Sequence, residues 1–155
     1  MFGGYHNDPA KTAEAVDAAG WYHSGDLGTV GADGRLRYLG RLKDMLKVGG
    51  ENVAALEIAS HLQAHPCVCV AQVVGVADEK YGEVPAAFIE RQPGTTLTEA
   101  EVIEHCRGGL ASFKVPRYVR FVTEWPMSST KVQTFRLREQ LEAELAARIS
   151  AGEPP

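Results

Sequence analysis

The chain has 155 residues, 45% of them hydrophobic, and carries 16 Lys and Arg against 20 Asp and Glu for a formal charge of -4. That length suits one domain, or one domain plus part of another, and the apolar content excludes wholesale disorder. The acidic balance excludes the basic footprint of a nucleic-acid binder; no apolar run approaches the roughly 20 residues of a membrane span, no basic-then-apolar leader opens the sequence, and a cytoplasmic location is expected.

Residues 1–40 are rich in turns. Asp8 and Pro9 are placed to cap and begin a helix over 11–19 that Gly20 ends. Strands are expected at 21–24 and 35–39, with the Ala32-Asp33-Gly34 turn between them. This part holds few large apolar residues, so its strands need partners that the chain does not obviously supply. The charged stretch 40–44 separates it from a second patterned region.

From residue 45 the pattern is that of an α+β domain. Residues 45–48 and 52–53 flank Gly49-Gly50 as a hairpin, and 54–64 reads as a helix with Leu56, Ala59, His61 and Leu62 near one side. The apolar run 68–76 predicts a central buried strand, and 84–89 a second one after the 80–83 turn. Thr98 is placed to cap a helix over 99–106, with Glu101 at the capping-box position and Gly108 and Gly109 as its stop. A third strand at 117–122, a polar loop at 126–130 and an amphipathic helix at 135–149 complete the domain. The fold class expected is therefore α+β: a three-stranded sheet with flanking helices and a β-hairpin over 45–150, preceded by a short β-rich segment over 1–40 and a hinge at 41–44. The tail, 151–155, is expected to fray.

The three cysteines, Cys67, Cys69 and Cys106, are an odd count without a secretory signal, which argues against a disulfide framework. Cys67 and Cys69 stand two apart in a β-like run and are expected to face the same way as small buried thiols. No further ligands accompany them, so no metal site is expected.

Four segments can carry chemistry. In Gly20-Trp21-Tyr22-His23-Ser24-Gly25-Asp26-Leu27-Gly28 a carboxylate at a strand end can accept two hydrogen bonds from a diol, although Gly-Asp alone is also a common turn. In Gly40-Arg41-Leu42-Lys43-Asp44-Met45-Leu46-Lys47-Val48-Gly49-Gly50-Glu51-Asn52-Val53, Arg41 offers a donor fork, and the paired glycines allow a close backbone approach; a charged hairpin explains the same residues. Leu110-Ala111-Ser112-Phe113-Lys114-Val115-Pro116-Arg117 marks the end of a helix and the start of a strand. In Pro126-Met127-Ser128-Ser129-Thr130-Lys131-Val132-Gln133-Thr134-Phe135-Arg136-Leu137-Arg138-Glu139 a lysine ends a Ser/Thr-rich loop. A mobile element could carry it to a phosphate, and a solvated loop lysine is the plain alternative.

Taken together, in this order and spacing, the four segments resemble the adenylate-forming enzymes, in particular the medium- and long-chain fatty acyl-CoA synthetases. That family's motifs run Gly-Trp-x-x-Thr-Gly-Asp-Leu, then Gly-Arg-x-Lys/Asp-x-x-x-Lys-x-x-Gly, then Lys-Val-Pro, then Gly-Lys-x-x-Lys/Arg. Gly4-Tyr5, the Asn7-Asp8-Pro9 turn and Lys11-Thr12-Ala13 look like the segment that precedes them. The chain departs from the pattern in several places: Ser24 stands for Thr, Asn52 for Arg, and Thr130 for the Gly before the lysine.

The resemblance implies a carboxy-terminal lid domain of an acid–thiol ligase, preceded by a remnant of the large domain. Such a ligase joins a carboxylic acid to ATP, with Mg, as an acyl-adenylate, and then transfers the acyl group to coenzyme A. It implies that Asp26, with Arg41, holds the ATP ribose and that Lys43 is the hinge. Lys131 would contact the substrate carboxylate and α-phosphate, and Gly50, with Lys47 on the same hairpin, would lie on the coenzyme A side. The family's phosphate loop, adenine pocket and acyl tunnel have no counterpart in the chain. It is therefore expected to be inactive alone, binding none of these molecules by itself, and to need a large domain or subunit. The alternative is a non-catalytic interaction module that docks on a separate subunit or forms a homodimer through its orphan strands.

Overall fold

The computed structural model describes residues 2–152; the expected fraying at 153–155 lies outside the described residues. The chain divides into two compact units, Met1–Lys43 and Asp44–Pro155.

In the first unit, helix α1 (Pro9–Ala15) starts as its residues dictate. The Asp8 carboxylate accepts the Lys11 N–H at 2.9 Å and Pro9 opens the first turn. It stops at Ala15 rather than Ala19, because Asp17 draws the chain into a loop. Its carboxylate accepts the N–H groups of Ala19 and Trp21 and bonds the His23 ring. These bonds, the Trp21 N–H foremost, hold its pKa below the usual carboxylate range.

Strand β1 is Asp26–Val30, not 21–24, and pairs antiparallel with β2 (Leu36–Arg41). The turn decides this: Gly31 N–H bonds the Arg35 carbonyl, so the strand before it must end at Val30, opposite Leu36. Of the residues expected in the earlier strand, only Tyr22 pairs, in a single bridge to Val16. No residue from 2 to 43 is buried, and Trp21, Val30 and Leu36 are each at least 70% exposed.

The second unit is built on a five-stranded sheet rather than a separate three-stranded one. The long antiparallel pair β5 (Val68–Asp78) and β6 (Gly82–Arg91) forms its centre, and β7 (Tyr118–Phe121) lies parallel to β6 along Ala86–Ile89. The hairpin β3 (Met45–Val48) and β4 (Glu51–Ala54) joins the near end of β6 through one residue pair, Val48 with Gly82. That single pairing extends the sheet, and no periodicity in the sequence could reveal it.

Alternation along β6 sorts the core into two layers. Ala87 and Ile89 face a cluster with Ile58, Leu62, Val102 and Cys106, contributed by α2 (Ala55–Gln63) and α3 (Glu99–Arg107). Val84, Ala86 and Phe88 face Leu137, Leu141 and Leu145 of α4 (Thr134–Ser150). Ile58, Ile89, Leu137 and Leu141 are each at most 1% exposed, and burial of such a side chain contributes roughly 1.5–3 kcal/mol. Helix α3 carries the expected capping box, with Thr98 and Glu101 bonding reciprocally. The Arg120 guanidinium grips Glu144 with two of its nitrogens, Nε at 3.0 Å and Nη2 at 2.6 Å, and fastens β7 to α4.

The cysteines differ from expectation. All three are free; Cys106 is buried, but Cys69 is exposed and Cys67 lies half-buried before β5 begins. A register shift between Val68 and Val70 turns the strand here, so the spacing of two no longer places both thiols inside. Burial pushes the Cys106 thiol up to about 11, which keeps it protonated and unreactive at neutral pH. Among the described residues, no helix is long and apolar enough to cross a membrane.

Candidate functional site

In the first unit the hairpin brings Asp26 and Arg41 together. They are direct partners across β1 and β2, with Arg41 Nε 3.2 Å from Asp26 Oδ1. Gly25, at φ +74°, turns the chain into β1, its carbonyl accepts the Leu42 N–H, and Ser24 Oγ accepts the Asp26 N–H. The hydroxyl of Ser24 thus does what a threonine would do at that position. Both side chains of the pair are more than a third exposed, so water screens their attraction and the pair adds little stability. What the arrangement offers instead is a fixed carboxylate beside a guanidinium donor fork, a combination suited to a sugar diol. Lys43 is exposed in the 3-10 turn Leu42–Asp44, at the last position of the first unit.

The second unit carries Lys47, Gly50 and Lys131. Gly49 and Gly50 form the two-residue turn between β3 and β4, with φ of +59° and +91°, conformations that glycine adopts readily. A Cβ at Gly50 would meet nothing within 4 Å, so the backbone there is open to an incoming group. Gly49, though exposed, lies against Tyr81: its N–H bonds the Tyr81 carbonyl at 2.7 Å, and a Cβ would lie 3.3 Å from the Tyr81 ring. Tyr81 is held in turn by Asp78, which accepts its N–H at 2.8 Å and that of Lys80 at 2.9 Å and pairs with Arg117 at 3.3 Å. The Tyr81 N–H is the main cause of an Asp78 pKa below the usual carboxylate range. Lys47 is exposed, and its backbone N–H donates to Glu83 Oε2 at 2.9 Å.

Lys131 ends a closed turn. Ser128 donates its N–H and its hydroxyl to the Lys131 carbonyl, Met127 bridges to Val132, and the Gln133 N–H bonds the Pro126 carbonyl at 2.7 Å. Among the described residues Asn7 is the one non-glycine with positive φ, so Thr130 sits in ordinary backbone and the turn has no need of glycine there. Lys131 is exposed, and no ion pair or hydrogen bond engages its ammonium among the described residues. Nor does any link it to Lys47 or Gly50.

The Lys-Val-Pro segment is structural. Lys114 Nζ reaches both oxygens of Glu57 in the first turn of α2, at 2.7 and 2.8 Å, and Pro116 is fully buried. Among the described residues no cluster of three His, Cys, Asp or Glu side chains could hold a metal.

The AMP-binding enzyme C-terminal domain matches residues 57–131, a stretch that closes on the lysine at the loop tip. The chain belongs to the AMP-binding enzymes, as a C-terminal domain. Over 92% of its length it is 43% identical to the medium-chain acyl-CoA ligase ACSF2, mitochondrial, of Homo sapiens, covering 23% of that protein. It is 44% identical to the putative acyl-CoA synthetase YngI of Bacillus subtilis, over 88% of this chain and 25% of that one. The crystal structure of ATP-bound MatB from Rhodopseudomonas palustris matches with a TM-score of 0.83 at 38% identity, over 92% of this chain and 28% of MatB. The chain thus spans about a quarter of the length of the curated relatives it matches.

Sequence reasoning about this AMP-binding C-terminal domain gave no role to Asp78, to Tyr81 and Glu83 of the 80–83 turn, or to Arg138, whose guanidinium bonds Glu142 at 2.9 Å and lies 3.5 Å from Glu83. The one available signal was an acid, Glu83, opening an otherwise apolar strand immediately after a Tyr-Gly turn.

Proposed function

We propose that this chain is the swivelling cap of an ATP-dependent acid–thiol ligase, working with a large adenylating domain supplied in the same chain or by a partner subunit. The observation that carries this is the coexistence, on one small compact unit, of an unengaged lysine at a loop tip and a glycine turn with an open face.

The two half-reactions make incompatible demands. In the first, a carboxylate oxygen attacks the α-phosphorus of ATP, a new P–O bond forms, and pyrophosphate leaves with the electrons of the broken one. Negative charge accumulates on the transferring phosphate, and the Lys131 ammonium is suited to neutralise it. In the second, the coenzyme A sulfur, having lost its proton, attacks the acyl carbon and AMP departs. That step needs an open channel, which Gly50 can line because it has no side chain, and it needs Lys131 out of the way. Rotation about Lys43 would exchange the two faces. Asp26 would hold the ribose hydroxyls throughout, with Arg41 beside it. Mg enters with ATP as part of the substrate.

The apolar surface exposed over residues 2–43 fits a segment that completes a larger domain. The named relatives are ligases and synthetases, which favours the catalytic cap over a non-catalytic, self-associating module. Three free cysteines fit a reducing compartment, the cytosol foremost, while the named Homo sapiens relative is mitochondrial.

A chimaera tests this directly. With the chain replacing the matched 143 residues of the Homo sapiens medium-chain ligase, octanoate, ATP and coenzyme A should give octanoyl-CoA. The isolated chain should show no ATP–pyrophosphate exchange. An unproductive chimaera that is folded by circular dichroism, or exchange by the isolated chain, would contradict the assignment.

A further inference from the structure

We propose that Glu83 is a positioning residue for thioester formation: its carboxylate holds the glycine hairpin in place and ties it to the helix that follows Lys131. The inference rests on the cap function proposed above and adds to it a residue outside the four motifs.

The hairpin needs such a support. Strand β3 meets β6 at one residue pair, Val48 with Gly82, and the Gly49 N–H reaches only as far as the Tyr81 carbonyl. Further along, the same edge of β6 turns to β7, and at Pro85 it offers no N–H at all. Where backbone pairing ends, the Glu83 side chain supplies the next rung: its Oε2 accepts the Lys47 N–H at 2.9 Å. The opposite oxygen, Oε1, lies 3.5 Å from Arg138 Nη1, and Arg138 Nε is held 2.9 Å from Glu142. One carboxylate therefore joins the backbone of the hairpin to α4, seven residues beyond Lys131.

The seat for this carboxylate is built. A Cβ at Gly75 would lie 3.2 Å from Glu83 Cδ and Oε1 and 3.1 Å from Leu46 Cγ, closer than ordinary contact. The glycine leaves room for the carboxylate to cross toward β3. Glu83 touches neither substrate nor reacting atoms on this account; it acts through the hairpin, by fixing where Gly50 stands.

Residue-resolved amide hydrogen exchange on the 155-residue chain tests the hold itself. Glu83→Ala should speed exchange of the Lys47 amide about tenfold, the scale of one lost hydrogen bond, while the Ala87 and Ile89 amides keep their rates. Glu83→Gln retains an acceptor and should restore most of the protection. In the chimaeric ligase, Glu83→Ala should raise KM for coenzyme A about tenfold, by misplacement of the hairpin, and leave octanoate adenylation unchanged, with Glu83→Gln again rescuing. An unaltered Lys47 amide in Glu83→Ala, or equal loss in both half-reactions, overturns the proposal. If the unmutated chimaera is itself inactive, the cap function falls, and the exchange rates alone decide whether Glu83 holds the hairpin.

Discussion

Lys131→Ala in the chimaeric ligase is expected to lower the rate of octanoyl-adenylate formation roughly 10²–10³-fold, the usual cost of removing one preorganised charge-stabilising group. Thioester formation from preformed adenylate and coenzyme A should change little. The asymmetry follows from where the charge goes. Only the first half-reaction drives new negative charge onto a phosphate while the cap presents the lysine. Fold damage cannot mimic this split, because the ammonium engages no partner among the described residues and its loss leaves the closed turn of Ser128 and Gln133 intact. ATP–pyrophosphate exchange reads the first half, and thiol consumption from synthetic adenylate reads the second. Equal loss in both would reject the role assigned to Lys131.

Substitution at Gly50 should have the mirror-image effect. Gly50→Leu is expected to slow thioester formation about 10²-fold through misplaced or blocked coenzyme A, with adenylation nearly unaffected. Two causes contribute and can be separated. Any side chain at φ +91° is strained, so Gly50→Ala carries the backbone cost alone. The Cβ of alanine meets no neighbour, whereas leucine projects into the open space in front of the turn. A larger loss with leucine than with alanine would report an occupant of that space. Indistinguishable variants would mean that only backbone strain matters there.

The legible parts of this sequence were those in which local chemistry and global packing agree. The strand over 84–89 faces a helix layer on each side, so its apolar run is uninterrupted. Thr98 and Glu101 satisfy each other within one turn and need nothing distant. The first unit was harder to read because none of its described residues is buried: β1 contains Gly28 and Thr29 and shows no alternation, and the more aromatic 21–24 stretch looked the better strand. Long-range joints were not legible at all. The Val48–Gly82 pair, the bulge that turns Cys69 outward and the Glu83 carboxylate under Lys47 each depend on a chain crossing that no local window contains. The same holds for the candidate site. Lys131, Gly50, Asp26 and Arg41 stood out through ordered motifs, whereas Asp78, Tyr81 and Glu83, which hold the hairpin, belong to no motif and emerge only from geometry.

The central claim is that one cap presents two faces in turn, and state-dependent labelling of Lys131 tests it most directly. In the chimaera, acetic anhydride labelling read by mass spectrometry should find Lys131 protected when ATP and octanoate are bound. It should become reactive again when coenzyme A joins a non-reactive adenylate analogue. Lys131 equally protected, or equally reactive, in the two states would contradict an alternating cap.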